Sequence, residues 1–169
     1  MPYNGLKAER DKKRLAEAIL AAKGQQLETD MPMKGNSRVS SGYGPRIHPI
    51  TKKPQFHTGT DLPAPEGTPI YATEDGVINQ AQNKSSGSIS GNNVSVRHNN
   101  GEETRYAHMK RFSPEALKGG MVKKGTLLGY VGSTGRSTGP HLHYGRYKNN
   151  KPADPMETMV PWQRKYAGV

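Results

Sequence analysis

Gly135-Arg136-Ser137-Thr138-Gly139-Pro140-His141-Leu142-His143-Tyr144 reads as a polar loop punctuated by Gly and Pro that feeds a strand. Strand residues two apart project from one face, about 7 Å apart. His141 and His143 therefore look into one cavity, while Leu142 and Tyr144 face the other way. Two imidazoles sharing a face suggest a metal. A His-x-His pair taken alone is at least as often an ordinary pair at a sheet edge, so its reading depends on partners elsewhere.

The chain on the N-terminal side of this stretch has the same character. Residues 68–72, 76–78, 93–98, 104–108 and 127–131, like 141–147, are short β-prone runs bounded by Gly, Pro, Asn or Ser. Asn99-Asn100-Gly101-Glu102 joins two of them with an Asn-Gly hairpin signal. These runs predict a mainly β, antiparallel domain. Ser113 followed by Pro114 predicts a single capped helical turn. Before residue 40 the pattern differs. Residues 6–23 place Leu15, Ala16, Ala18, Ile19, Leu20 and Ala22 among charged residues and predict a helix stopped by Gly24, whereas 25–38 read as linker. The expected organisation is an N-terminal helix and linker (1–39), a main β domain (40–155) and a tail (156–169) carrying Trp162.

Composition narrows the chemistry. The 169 residues are enough for one domain with a real core, and only 31% are hydrophobic. Mean hydropathy is -0.88. Gly 20 and Pro 13 argue against a helical bundle. The absence of cysteine excludes disulfides, thiolate zinc sites and a Cys nucleophile, so any metal must use His, Asp or Glu. A net charge of +11 favours an anionic partner: nucleic acid, a membrane surface or a cell-wall polymer. The basic residues lack the aromatic interleaving of a single-strand nucleic-acid platform, so no specific nucleic acid is expected. No transmembrane segment is expected, and the N-terminus lacks the apolar core of a secretory signal.

Phe56-His57-Thr58-Gly59-Thr60-Asp61-Leu62 supplies the partners. Gly59 and the β-branched threonines favour an ordered loop or short strand whose bend brings His57 and Asp61 to one ion. The signal strengthens because His57, Asp61, His108 and the His141/His143 pair occur together in a chain with six histidines. A catalytic zinc keeps three protein ligands and an open position. Five candidate groups leave two for acid–base and electrostatic work, and spacing alone does not say which two.

Ser41-Gly42-Tyr43-Gly44-Pro45-Arg46-Ile47-His48-Pro49, His57-Thr58-Gly59-Thr60-Asp61, Tyr106-Ala107-His108-Met109 and Gly139-Pro140-His141-Leu142-His143 together resemble, in order, the signatures of the M23 peptidases, the lysostaphin and LytM-like zinc endopeptidases of peptidoglycan. The resemblance covers roughly residues 40 to 155, with Met109 standing where Leu is usual. It implies a small antiparallel domain with a narrow groove, one Zn2+ held by His57, Asp61 and His143, and catalytic roles for His108 and His141. Arg46 is expected to be a substrate-side cation or an exposed structural arginine, His48 to line the groove or pack on Pro49, and His98 to be a surface histidine.

The implied substrates are peptide cross-links of peptidoglycan. The D-alanyl to diaminopimelate link is favoured over glycine bridges, because no wall-anchoring domain follows the catalytic region. An anionic cell-wall polymer is a further expected partner by charge. Two alternatives accompany this reading: a non-catalytic wall-binding or activator module of the same fold, or a phage virion component whose N-terminal helix contacts assembly partners. Relatives of the first kind lose metal ligands, and this chain keeps all five site positions. Action at the bacterial wall or periplasm is expected, with release by lysis or carriage on a virion in place of a signal.

Overall fold

The computed structural model describes residues 7, 9–14, 29–34, 38–83 and 88–159. Eleven strands follow one another: β1 (Gly44–Ile47), β2 (Pro54–His57), β3 (Gly59–Pro63), β4 (Pro69–Tyr71), β5 (Gly76–Gln82), β6 (Asn92–His98), β7 (Glu103–Phe112), β8 (Gly120–Val122), β9 (Leu127–Val131), β10 (His141–Lys148) and β11 (Lys151–Ala153). Nine of them form one antiparallel sheet whose main path is β11-β10-β7-β6-β5-β8, with β3 beside β10 and β9 joining β7 to β4. Strands β1 and β2 make a separate hairpin.

The mainly β expectation holds, and the strands with alternating β-branched or aromatic residues lie where the pattern puts them. Strands β1, β2, β8 and β11 were not expected, and β3 settles as a strand the stretch read as an ordered loop or short strand. Each is short, and Gly or Pro sits in every one of them, so local propensity is silent. The Asn-Gly turn closes β6 onto β7, with the His98 N–H donating to the Glu102 carbonyl at 2.8 Å. Ser113 caps the short helix Pro114–Lys118 by accepting from the Ala116 N–H.

The sheet has two faces of opposite character. On one, Leu62, Val94, Val96, Tyr106, Met109, Leu142 and Tyr144 are buried together with Ile70, Leu128 and Val131. Within this core the Thr73 hydroxyl lies 2.8 Å from the Tyr144 hydroxyl and 3.0 Å from that of Tyr106, so the two tyrosines bury their rings without stranding a polar group. His98 belongs here too, not on the surface. Its Nδ1–H donates to the Asp75 carbonyl at 2.8 Å, Nε2 accepts from the Thr104 hydroxyl at 2.8 Å, and burial lowers its pKa. The other face carries the polar residues of the site.

Residues 29–34, read as linker, are docked onto the domain. Thr29 bridges to Met159, the Asp30 N–H donates to Thr73, Pro32 accepts from the Tyr71 N–H, and Met33 enters the core. Two isolated methionines with no period carry no sequence signal, yet one buried Met is enough to anchor a strap. Lys7 and residues 9–14 are helical; 15–23, the rest of the expected helix, lies outside the described residues, as does Trp162.

Candidate metal centre

Sheet register builds the site. Asp61 on β3 sits directly opposite His143 on β10, and His143 sits opposite Ala107 on β7. Directly opposed residues share a face, so Asp61 and His143 meet without help from loops. The Asp61 Oδ1 to His143 Nδ1 distance is 3.0 Å. His57 arrives from the last position of β2, where Thr58 separates the hairpin from β3, and its Nε2 is 3.2 Å from both Asp61 Oδ1 and His143 Nδ1.

Gly59 makes this approach feasible. A Cβ there would stand 2.7 Å from His143 Nε2 and 2.6 Å from the Tyr144 carbonyl oxygen. Only glycine fits under the ring.

His108 reaches the site by a bulge. From Tyr106 to Met109, β7 advances three residues while β6 advances two, from Val94 back to Asn92. Strict alternation would send His108 to the face opposite Ala107. Instead His108 takes φ 60, a left-handed conformation uncommon outside glycine, and its ring comes to 4.7 Å from that of His141 and 6.0 Å from that of His143. Bulges of this kind re-aim side chains beside active sites.

Hydrogen bonds fix the tautomers. A carbonyl can only accept, so Nδ1 carries the proton in His57 (to Gly42, 2.8 Å), His108 (to Thr134, 2.7 Å) and His141 (to Gly139, 2.8 Å). In the neutral form of each ring Nε2 is then a lone pair. Burial raises the Asp61 carboxyl, but the imidazoles of His143 and His57 outweigh it and hold Asp61 well below the usual carboxylate range. Burial lowers His143 against the pull of Asp61, and lowers His108 to about 4. At neutral pH the centre therefore presents an ionised Asp61 carboxylate, with His143 and His108 neutral.

His57 Nε2, Asp61 Oδ1 and His143 Nδ1 form a group able to hold a metal ion. Their separations of 3.0–3.2 Å compare with roughly 3.3 Å between donors in a tetrahedral site with bonds of about 2.0–2.1 Å. Three electron-rich atoms converging this closely fit a cation. All three are also nitrogen or oxygen donors ordinary for zinc.

Arg46 is not placed as a free substrate-side cation. Its Nη1 donates to Asp61 Oδ2 at 3.2 Å and to Ser41 Oγ at 2.8 Å, so it ties down the oxygen that faces away from the two imidazoles. His48 lines the groove and also shapes its own turn, with Nδ1 accepting from the N–H groups of Ile50 and Thr51 at 3.1 Å each. The groove has a volume of about 390 Å³ and runs between the β1–β2 hairpin and the loops around residues 88–90 and 136–138.

Sequence reasoning missed the outer contacts of Ser41 and Gly42 to the site. The Ser41 carbonyl accepts from the Asp61 N–H at 2.8 Å, beside the Gly42 carbonyl that orients His57. Only the Gly-rich run before Arg46 hinted at them.

The peptidase family M23 profile matches residues 55–155. DD-carboxypeptidase/endopeptidase Mpg of Neisseria meningitidis is 47% identical over 125 residues, covering 74% of this chain and 28% of that protein. Peptidoglycan DD-endopeptidase ShyA of Vibrio cholerae is 39% identical over 131 residues, covering 77% of this chain and 29% of that one. The chain thus spans under a third of the length of these curated relatives. Among solved structures, a zinc-containing peptidase from Vibrio cholerae superposes with a TM-score of 0.67 at 34% identity, over 78% of this chain and 40% of that one. The catalytic domain of lysostaphin from Staphylococcus simulans superposes with a TM-score of 0.61 at 34% identity, over 72% of this chain and 91% of that one. With the profile spanning more than half of the sequence and the groove holding a metal-ready His–Asp–His group, the chain belongs to the metallopeptidases of family M23.

Proposed function

We propose that the chain is a zinc endopeptidase that hydrolyses peptide cross-links of bacterial peptidoglycan, of the D-alanyl to diaminopimelate type, acting at the cell wall or periplasm. The observation that carries the reading is the convergence of His57, Asp61 and His143 on one point of a groove that also receives His108 and His141. The DD-endopeptidase names of relatives such as ShyA support the bond type.

His57, Asp61 and His143 would hold one zinc ion, which when bound supplies Lewis acidity toward an amide carbonyl and toward water. His141 takes the proton of the attacking water at Nε2 and returns it to the leaving amine nitrogen. The Gly139 carbonyl on its Nδ1–H steadies the ring in both states. His108, neutral with Nδ1 protonated, holds the water by accepting one of its hydrogens at Nε2; it donates to an oxyanion only after taking up a proton. The loops on both sides of the groove orient the peptide and limit bulk water.

A non-catalytic wall-binding module has no observation in its favour, since all five site residues are present and together. Carriage by a phage draws support from one structural neighbour, a prophage-encoded M23 protein from Enterococcus faecalis. The enzyme reading is tested by digesting diaminopimelate-type peptidoglycan and identifying the released muropeptides by mass. Loss of cross-linked dimers, blocked by a chelator and restored by zinc, is expected. Intact dimers with zinc bound to the protein would overturn the bond assignment.

A further inference from the structure

The groove floor is ordered in cross-strand rows. One row runs Asp61, His143, Ala107 and, across the bulge, Asn93 and Gln82. The next row runs Gly59, Gly145, Arg105, Ser95 and Gln80. Rows two residues apart lie about 7 Å from each other, so Arg105 stands one row away from the metal-ready group, on the same face.

Arg105 is held in place on two sides. Its Nε donates to Glu103 Oε1, and its guanidinium stacks 3.7 Å from the centre of the Tyr147 ring. Tyr147 itself lies over Gly145, where a Cβ would come within 3.1 Å of its ring. Both terminal nitrogens of Arg105 are left without a protein partner among the described residues, and the side chain is 44% exposed. A stacked, tethered guanidinium with its fork free is organised in advance for a carboxylate and loses little freedom on binding one. The wider charge agrees. Among the described residues lining the groove the arginines are Arg46, Arg105 and Arg136, and the single carboxylate is Asp61. Arg46 is already committed to Asp61.

Building on the peptidoglycan reading, we infer that Arg105 is a substrate-binding residue that recognises a free carboxylate on the cross-linked peptide, within a residue or two of the scissile amide. This makes the enzyme selective for anionic cross-links over uncharged ones such as glycine bridges.

The test uses zinc-loaded His141→Ala protein, which binds without turnover, and the same protein carrying Arg105→Gln. Glu103 keeps Asn79 and Arg97 as partners in that variant, so no carboxylate is orphaned. Each protein is titrated by calorimetry with two probes: a diaminopimelate-containing cross-linked muropeptide dimer, and the same dimer with its free carboxylates amidated. With Arg105 present, amidation is expected to weaken binding roughly tenfold to a hundredfold. With Arg105→Gln, the free dimer should already bind that weakly, and amidation should add little. An undiminished amidation penalty in Arg105→Gln, or none in its presence, overturns the inference. Cleavage of the free dimer by the unsubstituted protein is scored separately. If cleavage fails while the Arg105-dependent penalty persists, the carboxylate site stands and the endopeptidase reading falls.

Discussion

Replacing Arg46 by Ala separates two roles that its position in the sequence left open. Its Nη1 is 3.2 Å from Asp61 Oδ2, with the two side chains 20% and 13% exposed, so the contact is mostly shielded from solvent. Without it, Asp61 loses the partner that fixes its plane, and Oδ1 is no longer aimed at the point shared with His57 and His143. Loss of such an outer contact costs about 10–100-fold in metal affinity. The guanidinium charge works the other way, since it repels a cation, and removing it returns part of that loss. The expected net effect is therefore at the lower end, about tenfold weaker zinc binding, or roughly 1.4 kcal/mol. Competition titration against a zinc-binding dye measures it directly, alongside kcat and KM on a cross-linked muropeptide. Unchanged zinc affinity with a raised KM would refute the reasoning and return Arg46 to the substrate.

Gly59→Ala should lower both stability and zinc content, by about 1–3 kcal/mol for the overpacking, because a Tyr144 backbone oxygen 2.6 Å away cannot swing aside; normal zinc occupancy in the variant would contradict this. Met33→Ala should destabilise the domain by about 2–3 kcal/mol in urea unfolding, since Met33 is 3% exposed within the core; an unchanged midpoint would show that residues 29–34 are only a tether. His98 gives a pH dependence. Burial lowers its folded pKa, so below about pH 6.5 the unfolded chain takes up a proton that the folded chain does not. The contribution is complete above that pH and is lost as pH falls toward the folded value. The unfolding midpoint should thus drop more steeply between about pH 7 and 5 in the natural protein than in His98→Gln, and equal slopes would contradict the assignment.

What could be read from the sequence was what depends on local periodicity. Strand β10 alternates His141, Leu142, His143 and Tyr144, so its two faces were visible before any partner was known. The Asn-Gly turn fixed the β6–β7 pairing in the same way. His108 was less accessible, because its orientation comes from a bulge set by register between β6 and β7. Nothing local marks a histidine at φ 60. Arg46 and Asp61 are fifteen residues apart, and their contact depends on the β1–β2 hairpin folding against β3. His98 looks exposed beside a turn, yet Asp75 and Thr104 satisfy both ring nitrogens and let it be buried. The docking of residues 29–34 rests on single apolar side chains and backbone hydrogen bonds, neither of which leaves a pattern. The split of five site residues into a metal-holding trio and a working pair came from family resemblance, and geometry now gives each a distinct set of contacts.

The most direct test of that split is zinc stoichiometry measured beside turnover for His143→Ala and His141→Ala. His143 Nδ1 lies 3.0 Å from Asp61 Oδ1, whereas the nearest His141 nitrogen lies 3.6 Å from it. The account predicts that His143→Ala loses both zinc and cleavage, while His141→Ala retains one zinc per chain and loses cleavage. Equal zinc loss in both variants would contradict the assignment of the trio and the pair.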